Sequence, residues 1–312
     1  MSLALVFPGQ GSQSVGMLGS LAEAHPVVEK RLAAASGVLG YDLWQRMSTG
    51  PAGLLNATEC TQPAMLAAGV ATYDVWRERG GRAPECVSGH SLGEFSALVC
   101  AGTLDFAAAV DLVRFRGAVM QEAVPQGSGA IAAILGLDDD AVEAACAEAA
   151  QGGVVEAVNY NAPSQVVIAG DTAAVNRAMA AAQARGAKRT VILPVSVPVH
   201  SSLMRGAAAQ LRERLKQVAL KVPQMRFVSA VDGRQYSEPE AIRDLLYRQL
   251  ASPVRWSATV RALVASGVTT MIECGPGKVL TALNRRIEKR EGLSYFALED
   301  SASIDAALKA IA

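Results

Sequence analysis

Residues 85–94 read Glu-Cys-Val-Ser-Gly-His-Ser-Leu-Gly-Glu and place Ser91 at the centre of a Gly-x-Ser-x-Gly pattern. Apolar and small residues precede the pattern, and a helix-like run over residues 94–101 follows it. A serine between a strand and a helix in this pattern is typical of a nucleophile elbow, a strained turn that exposes the serine oxygen. The Leu92 N–H, at the start of the helix, would then point at a developing oxyanion. The pattern alone also fits a glycine-rich turn with an ordinary serine.

Length and charge restrict the classes of protein that the sequence can encode. The chain has 312 residues, enough for one large or two modest domains, and 51% of them are hydrophobic, enough for a sizeable core. Lys and Arg number 29 and Asp and Glu also number 29. Because the charges balance, there is no electrostatic case for nucleic acid or an anionic membrane as a partner.

Cysteine usage and the N-terminus predict the compartment. The five cysteines are scattered and lie mostly in apolar runs; they are Cys60, Cys86, Cys100, Cys146 and Cys274. An odd, scattered set predicts reduced thiols rather than disulfides or a zinc site. We expect no signal peptide and no transmembrane helix, because no basic leader and no apolar run of spanning length occur. The protein is therefore expected to be cytoplasmic.

Strand and helix signals alternate along the chain, which predicts an α/β fold. Between residues 130 and 195 the order is βαββαβ, typical of a ferredoxin-like unit. Its predicted elements are a strand at 130–137, a helix at 138–150, strands at 154–160 and 165–169, a helix at 171–185 and a strand at 189–195. Since the later residues return to the larger pattern, we predict a catalytic domain of residues 1–127 and 198–312 with an inserted subdomain of residues 128–197.

A long helix predicted over residues 106–124, with Asp105 as its N-cap, distinguishes two arginines. At about 100° per residue, Arg114 lies on the polar arc, whereas Arg116 lies between two apolar stripes and points inward. A buried guanidinium needs an anion or several acceptors. Either Arg116 forms a structural ion pair or it binds a substrate carboxylate through both ends of its fork.

A nucleophilic serine needs a base, and the sequence contains three histidines. His25 lies in a predicted helix, residues 20–35, that we expect at the surface. His90 neighbours Ser91, and adjacent residues at a strand end project to opposite sides. His200 follows the point where the predicted insertion returns to the larger domain, so we favour His200 as the base. No acidic residue stands out as a third member, and a backbone carbonyl could orient the imidazole instead.

The loop at residues 8–13 follows the first predicted strand and fits no nucleotide-binding motif. The third glycine of a dinucleotide fingerprint is replaced by Ser14, and no Gly-Lys-Ser/Thr ends the loop as in a Walker A motif. The Gln10 amide could donate to an oxyanion. The loop by itself favours a solvated amide.

Several longer motifs together resemble the malonyl-CoA:acyl carrier protein transacylases of bacterial fatty acid synthesis, over nearly the whole chain. The motifs are Phe-Pro-Gly-Gln-Gly-Ser-Gln (7–13), Gly-His-Ser-Leu-Gly-Glu (89–94), Arg-Gly-x-x-Met-Gln (116–121), Asn-Tyr-Asn (159–161), Val-Pro-Val-His-Ser (197–201), Arg-Gln-Leu (248–250) and Gly-Pro-Gly-Lys (275–278). The resemblance implies a hydrolase-like large domain with a parallel sheet and the nucleophile elbow, carrying the ferredoxin-like insertion.

The resemblance also implies a role for each site residue. The implied roles are nucleophile for Ser91, base for His200, carboxylate clamp for Arg116, oxyanion hole for Gln10 with the Leu92 N–H, and orientation of His200 by the backbone carbonyl of Gln249. We expect His90 and Asn161 to contribute to substrate binding. Val199 departs from the family pattern, which often has a small residue before the histidine, so the choice among malonyl-type groups stays open.

The implied reaction moves a malonyl group from malonyl-CoA to the phosphopantetheine thiol of acyl carrier protein through a malonyl-Ser91 intermediate. It needs no metal or redox cofactor, and we expect a monomer. A serine esterase or thioesterase would use the same pair but would not need an inward Arg116. The sequence is also compatible with a related acyltransferase that uses another malonyl-type group, and with an inactive module that binds acyl carriers.

Overall fold

The structure is a computed structural model that describes residues 2–125, 127–194 and 197–311. Within these residues the strands are β1 (Leu3–Phe7), β2 (Cys86–Gly89), β3 (Gly129–Leu135), β4 (Val155–Ala162), β5 (Gln165–Asp171), β6 (Arg189–Ile192), β7 (Arg226–Val228), β8 (Gln235–Tyr236), β9 (Thr270–Glu273) and β10 (Ser294–Ala297). The helices are α1 (Gly19–Ala24), α2 (Pro26–Leu39), α3 (Leu43–Ser48), α4 (Ala52–Asn56), α5 (Thr58–Glu78), α6 (Gly93–Cys100), α7 (Phe106–Glu122), α8 (Asp139–Ala150), α9 (Thr172–Ala184), α10 (Arg205–Leu215), α11 (Pro239–Arg248), α12 (Trp256–Ala265), α13 (Val279–Ile287) and α14 (Ser301–Ile311). The chain thus has an α/β fold.

A six-stranded sheet in the order β10-β9-β1-β2-β7-β8 organises the larger part of the molecule, which we call the large unit. The strands are parallel except for β8, which runs antiparallel to β7. All five residues of β1 are buried, as expected for a central parallel strand with both faces covered. Phe7 pairs with Gly89, so the loop after β1 and the turn after β2 lie side by side at the carboxyl edge of the sheet.

Strands β3 to β6 form a second, antiparallel sheet in the order β4-β5-β3-β6. We call this sheet, together with helices α8 and α9, the small unit. The element order is the predicted βαββαβ; the predicted last strand extended to Val195, which lies outside the described residues, and β6 ends at Ile192. Alternate residues of the strands face opposite sides. One face packs on α8 and α9, and the other presents Ile131 and Val167 away from those helices.

Backbone hydrogen bonds join the two units. The Tyr160 N–H donates to the Val254 carbonyl at 2.8 Å, and the Val254 N–H donates to the Val158 carbonyl at 2.8 Å. The Ser202 N–H donates to Glu156 Oε2 at 2.7 Å, which ties the segment after His200 to β4. These hydrogen bonds hold the two units together.

One predicted helix and one predicted surface position are wrong. The segment expected as a single helix over residues 20–35 is divided into α1 and α2 at His25. His25 is buried, and its Nε2 lies 3.0 Å from Ser301 Oγ at the start of α14, a helix that the sequence patterns did not reveal. In the described part of the chain, no helix combines the length and the apolar character needed to cross a membrane.

Candidate active site

The turn between β2 and α6 has the geometry that the Gly-x-Ser-x-Gly pattern predicts. Ser91 has φ 52°, in the left-handed region that a side chain with a Cβ rarely adopts. A Cβ on Gly89 would overlap the backbone of Gly93, and a Cβ on Gly93 would overlap the Phe7 carbonyl. Only glycine fits at both positions, so the turn can be sharp enough to lift Ser91 above the sheet edge. Leu92 directly precedes the helix, so its N–H has no acceptor within α6.

Ser91 and His200 form a hydrogen-bonded pair, with 2.7 Å between Ser91 Oγ and His200 Nε2. The other ring nitrogen, Nδ1, lies 2.9 Å from the Gln249 carbonyl and 3.1 Å from the Ser252 carbonyl. Because a carbonyl can only accept, Nδ1 carries the proton and Nε2 is free to accept from Ser91. Burial, together with the positive charge of Arg116, lowers the pKa of His200 to about 3, so the imidazole is neutral at neutral pH.

The backbone around His200 fixes the direction of the ring. His200 has φ 67°, again in the left-handed region, and its N–H donates to the Leu250 carbonyl at 3.1 Å. The side chain of Ser201 donates to the Pro198 carbonyl at 2.6 Å. The segment of residues 249–252, which includes the 3₁₀ turn Gln249–Ala251, therefore holds both the main chain and the imidazole of the candidate base.

Arg116 is buried in the same site, with 1% of its surface exposed. Its Nη1 donates to Gln62 Oε1 at 2.9 Å, and its Nη2 donates to Gln249 Oε1 at 3.0 Å and to Ser91 Oγ at 3.3 Å. Within the described ranges no carboxylate forms an ion pair with it, so its partners are neutral oxygens. Burial lowers the pKa of Arg116 to about 10, against an opposing effect of Glu94. The guanidinium stays charged at neutral pH and lacks a directly bonded anion.

Arg114, two positions earlier on α7, has the opposite environment. Its side chain is 49% exposed and donates to Asp111 Oδ1 at 2.8 Å. The Asp105 side chain accepts from the Ala108 N–H at 3.0 Å, which confirms the predicted N-cap. The helical period thus correctly separated the inward arginine from the solvent-facing one.

His90 points away from Ser91, toward the small unit. Its Nε2 lies 2.9 Å from Asn161 Oδ1, so Nε2–H donates to the amide oxygen. Burial lowers the pKa of His90. His90 lines the cavity, whereas Asn161 does not. Asn161 therefore contributes to the site through its hydrogen bond to His90.

A cavity of about 410 Å³ opens between the two units, above Ser91. Its lining comprises Gln10, Gly11, Gln13, Asn56, His90, Ser91, Leu92, Arg116, Met120, Ile131, Asn159, Val167, Leu193, Pro194, Val199 and His200. Gln10, from the loop after β1, therefore shares the cavity with Ser91 and Leu92. Gln249 lies beneath the wall, where it contacts Arg116 and His200.

A model of the acyl transferase domain matches residues 4–298. The malonyl CoA-acyl carrier protein transacylase of Escherichia coli K12 is 53% identical over 306 residues, which cover 98% of both chains. The chain belongs to the malonyl CoA-acyl carrier protein transacylase family. The Bacillus subtilis member is 40% identical over 310 residues, covering 99% of this chain and 97% of the relative.

Solved structures agree with this family. An acyl carrier protein S-malonyltransferase from Vibrio cholerae superposes with a TM-score of 0.95 at 52% identity, covering 98% of this chain and 100% of the other. A malonyl-transacylase solved in complex with a type II PKS acyl-carrier protein gives a TM-score of 0.97 at 52% identity, covering 99% and 100%.

Two polar residues of this transacylase site were missed by the sequence analysis. Gln62, in the apolar helix α5, accepts from Arg116, and the same side chain donates from Nε2 to Met120 Sδ at 3.0 Å. Glu94, the last residue of the elbow motif, is fully buried beside Gln249. A polar residue inside an apolar helical run was the available signal for Gln62, whereas Glu94 looked like an ordinary acidic residue in the first turn of a helix.

Proposed function

We propose that the chain transfers the malonyl group of malonyl-CoA to the phosphopantetheine thiol of acyl carrier protein, through a malonyl-Ser91 intermediate, and so supplies fatty acid synthesis. One observation carries the proposal: a neutral His200 bonded to Ser91 lies in the same cavity as a buried, charged Arg116 whose Nη2 is 3.3 Å from Ser91 Oγ. The pair provides an activated nucleophile, and the guanidinium provides a partner for an anionic acyl group.

In the first half-reaction, His200 Nε2 removes the proton of Ser91 while Oγ attacks the thioester carbonyl of malonyl-CoA. The Gln10 amide and the Leu92 N–H donate to the resulting oxyanion. The carbon–sulfur bond then breaks, and the CoA thiolate leaves with the proton that His200 held. Nδ1 keeps its proton throughout, because the carbonyls of Gln249 and Ser252 hold it.

In the second half-reaction, His200 Nε2 removes the proton of the carrier protein's phosphopantetheine thiol. The thiolate attacks the malonyl ester, and the same two donors bind the oxyanion. Ser91 Oγ leaves and takes the proton back from His200. The two half-reactions use one site in turn, as ping-pong kinetics require.

Arg116 recognises the malonyl carboxylate. Its Nε is buried and has no hydrogen-bond partner among the described residues, so the protein leaves the guanidinium incompletely satisfied. A carboxylate beside it gains charge-assisted hydrogen bonds and supplies the missing counter-charge. A neutral acetyl group gains neither, so the site discriminates by charge. His90, held by Asn161, forms the neighbouring wall of the acyl site.

The domain boundaries, the compartment and the oligomeric state belong to the same proposal. We infer a hydrolase-like catalytic domain of residues 1–127 and 198–312 and a ferredoxin-like subdomain of residues 128–197; Gln126, Val195 and Ser196, near these boundaries, lie outside the described residues. The sheet orders and the βαββαβ element order support this division. We further propose a cytoplasmic monomer, and the five buried free thiols fit a reducing compartment.

Intact mass spectrometry after mixing with malonyl-CoA tests the function. We expect a malonyl adduct on the wild type that disappears when holo-acyl carrier protein is added, with the malonyl group then found on the carrier. Release of CoA without an adduct or a loaded carrier would indicate a thioesterase, and absence of any reaction would indicate a binding module. Either result overturns the proposal.

A further inference from the structure

Glu94 is a buried carboxyl at the site for which the reaction above gives no role. It lies in the first turn of α6, three residues after the nucleophile, and its residue exposure is 0%. It does not line the cavity, so it does not meet the substrate directly. A buried carboxyl is costly, and its environment should reveal what it does.

All three groups that contact the Glu94 carboxyl donate a hydrogen bond to it. Oε1 accepts from Ser229 Oγ at 2.8 Å and from the Ala230 N–H at 2.6 Å. Oε2 accepts from Gln249 Nε2 at 2.5 Å. An ionised carboxylate has only acceptors to offer, so it matches this set of partners completely.

The Gln249 amide links Glu94 to the clamp. Its Nε2 also donates to the Ser91 carbonyl at 3.0 Å, and its Oε1 accepts from Arg116 Nη2 at 3.0 Å. A carbonyl only accepts and a guanidinium only donates, so these two neighbours define which end of the amide is which. With the NH₂ end directed at Glu94, the oxygen end must face Arg116.

We propose that Glu94 is a positioning residue for malonyl selectivity: together with the Ser91 carbonyl, its Oε2 holds the NH₂ end of the Gln249 amide, so that the oxygen end stays against Arg116. The proposal rests on the function proposed above and adds how the clamp is held. Glu94 is also the negative charge that counteracts the effect of burial on the pKa of Arg116.

Replacing Glu94 by glutamine should weaken the hold on the NH₂ end of the Gln249 amide. The single oxygen of the introduced side chain would accept from Ser229 and Ala230, which directs its NH₂ group at Gln249. Donor then meets donor at Gln249 Nε2, so the amide shifts and its oxygen is no longer held firmly against Arg116. The guanidinium loses a fixed partner, whereas His200 is still held by the main-chain carbonyl of Gln249.

The test compares the rates of Ser91 acylation by malonyl-CoA and acetyl-CoA in the wild type and in Glu94→Gln. We expect kcat/KM for malonyl-CoA to fall roughly 10- to 100-fold, by analogy with the loss when residues that orient a metal ligand are replaced, and that for acetyl-CoA to change less than about threefold. The malonyl-to-acetyl ratio is the decisive readout, because a merely structural role would lower both substrates together.

Glu273→Gln is the matched control. Glu273 is also fully buried, burial raises its pKa to about 7 as it does that of Glu94, and it accepts from the N–H groups of Leu280 and Thr281 at 3.0 and 2.7 Å. Those partners belong to α13 and not to the clamp. We expect this variant to lose stability and to keep the wild-type ratio. An unchanged ratio in Glu94→Gln, or an equal change in Glu273→Gln, overturns the inference.

A second variant decides the matter if Glu94→Gln does not fold. Gln249→Met keeps the main-chain carbonyl for His200 and removes the amide, so the same fall in the ratio is expected, and an unchanged ratio overturns the inference. The wild-type measurement distinguishes failure of the proposed function from failure of the positioning role. A wild type that accepts no malonyl group overturns the proposed function, whereas normal wild-type loading with unchanged ratios in the variants overturns the positioning role alone.

Discussion

The two walls of the cavity are built from different kinds of residue. The wall from the large unit holds Ser91, His200 and Arg116, and each makes hydrogen bonds to neighbours that restrict its orientation. The wall from the small unit presents Ile131 and Val167, apolar residues on the face of the sheet opposite α8 and α9, with Asn159 as a polar residue among them. The difference fits the proposed function, since the proposed nucleophile, base and charged group all come from one wall, while the other wall mainly bounds the cavity.

Ser91→Ala should have the largest effect and tests whether the polar wall holds the nucleophile. Acyl-enzyme formation from malonyl-CoA should be abolished, because no other hydroxyl occupies the strained turn. The adduct is measured by intact mass spectrometry, and a thermal melt checks that the variant folds. Near-normal transfer by a folded variant would place the nucleophile elsewhere.

His200→Ala comes next, with His90→Ala as its control. Loss of a general base commonly lowers the rate on the order of 10²–10⁴-fold. His90 is directed at Asn161, so its removal should act mildly or through stability. Single-turnover acylation of both variants gives the comparison, and the opposite ranking would show that the base has been misassigned.

Arg116→Ala should change which acyl group is accepted. A malonyl carboxylate left buried without a partner is disfavoured by roughly 3–5 kcal/mol, whereas an acetyl group carries no charge to compensate. Selectivity for malonyl over acetyl should therefore fall or invert, and Arg116→Lys should restore little because an ammonium lacks the planar fork. Acyl loading from both thioesters measures the change, with the exposed Arg114→Ala as a control expected to be near neutral. Equal loss of both substrates in a folded Arg116→Ala variant would make Arg116 a structural residue.

The pH dependence of stability tests whether His200 is held neutral. Its pKa is about 3 in the folded protein, below the ordinary histidine value near 6.5. As pH falls below about 6.5 the unfolded chain binds a proton that the folded chain does not, so His200 destabilises the fold in acid. Between pH 7.5 and 5 the free energy of unfolding of the wild type should fall by about 2 kcal/mol relative to His200→Ala, as measured in urea. A constant difference would mean that His200 titrates normally.

Val199→Ala should have the smallest effect and concerns the apolar part of the cavity lining. Val199 lines the cavity and packs against the cluster that contains Ile131 and Val167. Removing carbon atoms from an apolar pocket changes discrimination by about 1–3 kcal/mol at most. Loading with methylmalonyl-CoA should rise by no more than roughly tenfold, and loading with malonyl-CoA should change less. A large loss of malonyl loading would show that Val199 helps to position the reacting groups.

Much of the polar wall could be predicted from the sequence because its signals are local. The elbow is a short contiguous pattern, and Arg116 was recognised by the period of a single helix. His200 followed from the scarcity of histidines. In contrast, the contacts of Gln62 and Glu94 join residues far apart in sequence, such as Gln249 and Glu94 at a separation of 155. No local pattern indicates such a contact.

The predictions that failed have a similar cause. His25 was expected at the surface because its own neighbours are polar, but α14 covers it from the other end of the chain. Strand β8 has two residues, Gln235–Tyr236, too few for an alternating pattern to be recognised. Local sequence patterns therefore predicted the helices and strands better than they predicted which distant segments bury them.

Ser91 and His200 share a left-handed backbone, at φ 52° and φ 67°. A residue with a Cβ is disfavoured there by about 1–3 kcal/mol, so the two together remove a noticeable part of a net folding stability of about 5–15 kcal/mol. In a laboratory evolution experiment, heat resistance and turnover would therefore pull in opposite directions at these two positions. Selection for heat resistance alone should favour glycine at both, and only selection that also requires activity should retain the nucleophile and its base.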